Sequence, residues 1–473
     1  DKQYDKTKRS YGLKRRIHMK KISRTFSIIL TIAILFSFSA CGNSASSNSV
    51  SGDGSEDVTI TFWATPLISD FEDIFNNEFL PAFENEYPNI HVELEMMTFE
   101  GVSEKLQTAI STGTTPDVFL DGTARTASLP SLDILEPVDN IIGSFDDWYD
   151  TVLNIGVVNG VHYLVPATTI ACSSLCVNAT LAKELGIFDM LPKDKISWNI
   201  HDLYDFVHAA AESGKDEDIF GTFLYAGSST SDDIMYSLLL SNGGSIIDFD
   251  TMTCTANSPE CVEVVETLGE MYKNGFSVNG STMMTGVDSN TAFLNRQMVL
   301  SFNTSASASI VAQQKMVDEG YFEKVDEFRS YGVPTADGMK MDSASWGANC
   351  FAIFTNDNDK AKINAAKAMV KSFVDSKAMS EALWADAPTY TPVRDFGIVF
   401  SSDNKNLEEE VVLKAEWSGL YGDSSFGILE SYWPEVRNCF YPELQAVYTG
   451  EKTAQEAMDS FAANVNAILA NQK

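Results

Sequence analysis

Basic charge is what this chain has least of. Lys and Arg total 33 against 66 Asp and Glu, and the first forty residues hold ten of those Lys and Arg but only two Asp. Beyond residue 40 there remain 23 basic and 64 acidic side chains, a net charge of −41. A phosphate backbone needs a basic footprint, so nucleic acid is excluded as a partner. Such acidity suits a solvated surface that keeps a protein soluble, and it argues against an anionic ligand.

Catalytic and metal-binding patterns are missing too. The four histidines past residue 40, His91, His162, His201 and His208, include no His-Glu-x-x-His pair, which excludes the common zinc-protease arrangement. No twin Cys-x-x-Cys units, Gly-x-Ser-x-Gly elbow or Gly-rich loop ending in Lys-Ser or Lys-Thr occurs. Structural zinc, esterase and P-loop chemistry therefore lack their residues. Carboxylates are so common that no glycosidase pair stands out. The expectation is a protein that is not an enzyme and has no cofactor or metal, with a secreted glycosidase as the lesser alternative.

Long apolar runs are scarce. The one near the start, Phe26 to Phe38, is short of the roughly 20 residues a helix needs to cross a bilayer. Preceded by Met19-Lys20-Lys21 and Arg24 and followed by Ser39-Ala40-Cys41, it has the charged, apolar, small-residue order of a secretion signal. The Ser39-Ala40-Cys41 end resembles the lipobox of bacterial lipoproteins, with Phe38 where leucine is usual. That resemblance implies cleavage after Ala40 and a lipid on Cys41. Residues 1–40 are accordingly set apart as upstream residues and signal, and residues 41–57, rich in Gly, Ser and Asn, as a flexible tether.

Six cysteines follow Cys41: Cys172, Cys176, Cys254, Cys261, Cys350 and Cys439. Outside the cell disulfides are permitted, and Cys254 with Cys261 is the most plausible loop-closing pair. Cys350, inside an apolar run, reads as a small core side chain.

The remaining length exceeds what one core supports, so two lobes are expected. Val58 to Trp63 is β-branched and aromatic and predicts a first strand; Asp70 to Tyr87 has helical spacing; His91 to Met96 alternates as a second strand. A helix around Glu104 to Ile110 and the strand Asp117 to Leu120 repeat the βαβ unit. Further strands are expected at Tyr163 to Pro166, Met298 to Phe302 and Cys350 to Phe354, and helices through Ile363 to Phe373 and after the Thr453–Glu456 capping box. The fold class is α/β.

Seven segments in order carry a family resemblance: Ile60–Trp63, Phe83–Ile90, Ser111–Val118, Gly160–Pro166, Ala292–Met298, Tyr331–Pro334 and Thr449–Ala457. Together they resemble the extracellular solute-binding proteins of ABC importers, the class with maltose-, oligosaccharide- and polyamine-binding members. The chain departs at Cys176-Val177-Asn178, where Tyr-Asn is frequent, and at Thr304-Ser305, where glycine and an aromatic are usual. The resemblance implies a two-lobed, periplasmic-binding-protein-like (type II) fold. One lobe is expected from residues 58–168 plus 347–388 and the other from 169–346 plus 389–473, with hinge crossings near Pro166–Cys172, Trp346–Asn349 and Ala387–Pro392. It also implies a small-molecule solute held between the lobes, permease subunits as partners, and a monomer lipid-anchored at the outer face of the cell membrane.

A sugar needs aromatic plates for its C–H face and planar polar groups for its hydroxyls. Trp63 and Asp121 fall at the carboxyl ends of predicted strands, where open α/β sheets hold ligands. Asn303 follows a predicted strand and can donate and accept; Trp346 stands at an expected crossing; Trp433 lies where relatives place a stacking aromatic. Tyr225 and Tyr390 complete the candidate set. Aromatic content favours a carbohydrate; a cationic polyamine also suits an acidic cleft with aromatic walls.

Overall fold

The computed structural model describes residues 57–472, apart from 69, 100, 143–147, 149–154, 170–173, 233, 337–341, 344–347, 387–392, 395, 399, 419–421, 424–429 and 431. The signal, Cys41 and the tether up to residue 56 lie outside the described residues, as do Cys172, Trp346, Tyr390, the whole expected hinge crossing at 387–392 and part of each of the other two.

Eight strands position the site: β1 (Val58–Ala64), β2 (Ile90–Met96), β3 (Val118–Gly122), β4 (Leu164–Thr169), β5 (Leu175–Asn178), β6 (Leu300–Ser301), β7 (Phe328–Tyr331) and β8 (Ala348–Ile353). The helices needed below are α1 (Val102–Thr112), α2 (Thr123–Thr126), α3 (Pro259–Lys273), α4 (Gly286–Leu294), α5 (Ala306–Asp318), α6 (Lys360–Asp375), α7 (Trp433–Tyr448) and α8 (Ala454–Ala470).

One sheet runs β2-β1-β3-β8-β4. Its first three strands are parallel, joined by the predicted βαβ units, while β8 is antiparallel to both β3 and β4. Ile60, Phe62 and Ala64 alternate into the core from β1, as period-two patterning requires. The helical segment after β1 brings Phe71, Phe75, Phe79 and Phe83 onto one face, with successive rings 5.2–6.0 Å apart. A spacing of four drifts around an ideal α-helix, and a π-helical stretch at Phe75–Phe79 takes up that drift. Burying such a side chain contributes roughly 1.5–3 kcal/mol. At the end of α1, Gly113 adopts φ 68°, a left-handed cap that glycine takes without steric cost, so Ser111-Thr112-Gly113 turns the chain toward β3.

The second sheet is β6-β5-β7, all antiparallel. Beside it α3, α7 and α8 pack together, with Phe440 and Phe461 rings 5.0 Å apart. The predicted capping box forms: Thr453 accepts from the Glu456 amide and Glu456 from the Thr453 amide.

Core side chains divide with the sheets. Ile60 to Ala167, Ala348 to Leu383 and Val393 make one cluster. A second, larger cluster draws on Leu175 to Val333 and Tyr432 to Leu469, and a smaller third on residues from Cys176 to Leu407. No helix of the described residues is long and apolar enough to cross a membrane.

The expected Cys254–Cys261 bond is corrected: both are free thiols, as are Cys176, Cys350 and Cys439. Cys254 and Cys261 are buried in the larger core, with the Cys261 sulfur 3.8 Å from the Ser245 carbonyl. There they pack as small apolar groups. Cys350 is buried in β8, as its apolar surroundings suggested.

Candidate functional site

The carboxyl end of the first sheet is organised by one carboxylate. Asp121 on β3 is fully buried. It accepts from the Thr65 hydroxyl at 2.8 Å and the Gly122 amide at 2.7 Å. Its third partner is Arg125 on α2, which reaches back with Nη2 at 2.7 Å and with Nε to grip both oxygens. That fork geometry fixes the guanidinium plane. Arg125 in turn lies with its guanidinium carbon 5.6 Å from the ring centre of Phe99, a residue 43% exposed just past β2. Asp121, expected to meet a ligand, thus spends its carboxylate within the protein and orients the arginine beside it.

α2 packs against α7 of the other half. There a second buried pair stands: Arg437 on α7 donates to Asp232 through Nε at 2.8 Å and Nη2 at 2.6 Å, and Nη2 also reaches the Ser229 carbonyl at 3.1 Å. Burial pushes the Asp232 carboxyl above the ordinary range, opposed by Arg437 and, from the first half, by the charge of Arg125. The two arginine–aspartate pairs therefore stand within electrostatic reach of one another, on helices that pack together. A further ion pair joins them, Lys315 on α5 to Asp70 ahead of the phenylalanine helix, at 2.8 Å.

Two of the sequence candidates come together. The Tyr225 hydroxyl donates to Asn303 Oδ1 at 2.7 Å, and Asn303 Nδ2 donates to the Gly286 carbonyl at 2.8 Å. Gly286, the first residue of α4, has no room for a side chain, since a Cβ would sit 2.7 Å from Asn303 Nδ2. Tyr225 also lines a small recess with Phe223, Ser231, Ile234, Met235 and Phe302, immediately beside Asp232.

The tryptophans are placed differently. Trp63 is half-buried on β1 with the Lys105 ammonium of α1 4.1 Å above its ring; Lys105 is held there by Glu95 at 2.5 Å. Trp433 opens α7 but is 0% exposed, its ring 5.2 Å from that of Tyr236 inside the larger core, so it is packing and not a plate open to solvent. Trp346 and Tyr390 fall outside the described residues.

Sequence inspection missed Arg125, Asp232, Arg437 and Phe99. Only Arg125 left a signal, standing four residues after Asp121 across a strand end. Asp232 and Arg437 are 205 positions apart, beyond any local pattern. Among the described residues no group of three or more His, Cys, Asp or Glu could hold a metal ion.

Comparison with known proteins follows the same lines. A sequence profile described as bacterial extracellular solute-binding protein matches residues 78–395. No curated protein sequence matches the chain. Among solved structures, the GacH receptor of Streptomyces glaucescens, studied unliganded and with acarbose, superposes with a TM-score of 0.69 at 17% identity, covering 88% of this chain and 99% of that one. Maltose-bound MalE3 of T. maritima gives 0.69 at 20% identity over 86% and 98%. The substrate-binding protein Lmo0181 of Listeria monocytogenes, in complex with cycloalternan, gives 0.66 at 16% identity over 87% and 99%. The likeness shows the expected two-lobed, type II α/β binding-protein fold.

Proposed function

From the premise that this chain belongs to the bacterial extracellular solute-binding proteins, we propose that it captures a sugar or oligosaccharide outside the cytoplasm and delivers it to the permease of an ABC importer. The observation that carries the ligand class is the junction itself. The buried carboxylates of Asp121 and Asp232 are each engaged by an arginine, so neither is a bare acid, and Arg125 keeps N–H donors that Asp121 does not use. Neutral hydroxyls suit such a surface; an ammonium chain meets guanidinium groups of its own sign. Tyr225 and Asn303 add a hydroxyl and a carboxamide from the other side. The solved relatives described with maltose, acarbose and cycloalternan point the same way.

In this reading the lobes comprise residues 58–168 plus 347–388 and 169–346 plus 389–473, and they close over the solute by a hinge motion that the permease recognises. Cys41 carries the lipid that holds a monomeric receptor beside its transporter, on a tether of about sixteen residues. Polyamine remains the competing ligand because the chain as a whole is so acidic.

Thermal unfolding against maltose, cellobiose, xylobiose, sorbitol and spermidine tests the proposal. A ligand at 100 times its Kd stabilises by about 2.7 kcal/mol. Stabilisation by a sugar is expected; stabilisation by spermidine alone would transfer the protein to the polyamine class, and no shift with any solute would remove the transport role.

A further inference from the structure

We propose that Phe99 and Arg125 form a ring-reading subsite in which Phe99 offers one face to the C–H side of a pyranose and Arg125 donates to that ring's hydroxyls. This subsite presupposes the sugar-binding role above and specifies its substrate as one carrying a closed ring.

Phe99 is unusual for its half of the molecule. Phe62, Phe71, Phe75, Phe83, Phe119 and Phe351 are all buried in the core, whereas Phe99 keeps 43% of its surface exposed. An exposed phenyl forgoes the transfer gain its neighbours realise, so its place is not explained by packing. It stands between β2 and α1, at the same carboxyl edge of the sheet as Asp121. What fixes it is electrostatic: the Arg125 guanidinium lies over the ring, a cation–π contact that holds one face.

Arg125 is itself held from behind. Asp121, with a side chain 1% exposed, engages Nε and Nη2, two of the five N–H donors a guanidinium carries. Asp121 is locked by Thr65 and the Gly122 amide. The chain Thr65–Asp121–Arg125–Phe99 therefore presents a preset aromatic face and a preset donor edge side by side, and binding loses little freedom in assembling them. A pyranose matches both, with an apolar C–H face and a rim of hydroxyls. A linear polyol has the hydroxyls without the rigid face, and a polyamine has neither. Phe99 is thus the specificity-determining residue, and Asp121 is a positioning residue that acts through Arg125.

Calorimetric titration of the wild-type protein and its Phe99→Ala, Phe99→Trp and Arg125→Lys variants with maltose, cellobiose, xylobiose and sorbitol tests this. Phe99→Ala is expected to weaken the best ring sugar by about tenfold or more, with Phe99→Trp restoring affinity. Arg125→Lys, which keeps the charge but cannot make the bidentate fork, is expected to lose ring-sugar affinity while still unfolding cooperatively above the titration temperature. Any sorbitol binding is expected to be indifferent to Phe99. A ring sugar bound equally by wild type and Phe99→Ala overturns the subsite while leaving the sugar role intact. Wild-type protein that binds none of the ring sugars overturns both.

Discussion

Asp121 and Arg125, four residues apart across the end of β3, close a bidentate ion pair whose carboxylate is fully buried and whose guanidinium reaches the junction of the two lobes. The geometry assigns a division of labour: the acid that sequence position singled out does the holding, and the arginine beside it is the group it orients.

Asp121→Asn keeps the shape but removes the counter-charge from a guanidinium that is only 15% exposed. Losing one partner of a mostly buried pair costs on the order of 3 kcal/mol. Urea unfolding of the variant is expected to show a loss near that size, with solute affinity falling as Arg125 loses its orientation.

Asp232 and Arg437 offer a sharper energetic contrast. Arg437→Met strands a buried carboxylate and is expected to cost about 3–5 kcal/mol, whereas the double change Asp232→Leu with Arg437→Met removes both charges and is expected to cost less than Arg437→Met alone. Thermal or urea unfolding of the two single variants and the double closes the cycle. A double variant as unstable as the sum of the singles would mean the pair is not coupled.

Acid sensitivity has an identifiable source in Glu327. Burial alone would raise its carboxyl, but Lys183 and Arg329 on either side outweigh that and hold it below the usual range. A depressed folded pKa contributes stability that is complete above the unfolded value of about 4.3 and is lost as pH falls through the lower folded value. Asp194 behaves alike, lowered chiefly by the Ser197 hydroxyl. Unfolding free energy measured from pH 7 to pH 3 is expected to stay level with respect to Glu327 until about pH 4 and then drop. In Glu327→Gln the stability deficit relative to wild type should shrink over that acidic window, and a deficit independent of pH contradicts the assignment.

Thiol chemistry follows burial. Cys254 and Cys261 are pushed up to about 11 by burial, so at pH 8 neither is a ready thiolate. An aromatic disulfide reagent is expected to label them only after unfolding, with the half-buried Cys439 reacting earlier in the folded protein.

Much of the framework was legible in the chain. The β1 to β3 units, the α8 capping box and the buried Cys350 follow from period-two alternation, helical spacing and side-chain capping, all local rules. Asp121 could be found because the carboxyl end of a strand is itself a local landmark. Its true partner was harder to see, since a strand gives way to a helix between residues 121 and 125 and no single periodicity spans both. Asp232 and Arg437 belong to distant segments, joined only when α7 packs within the second half. Trp433 illustrates the opposite case: its residue type suits sugar stacking, but the core that encloses it is a tertiary fact. Phe99 escaped notice because exposure, which makes it distinctive, is not written in residue type.

The central claim is that the two lobes close on a sugar, and small-angle X-ray scattering of the protein with and without its best-stabilising sugar addresses it most directly. The account predicts a smaller radius of gyration on adding the sugar, and no change in the Arg125→Met variant. A radius that stays constant with every sugar, or that contracts only with spermidine, would contradict it.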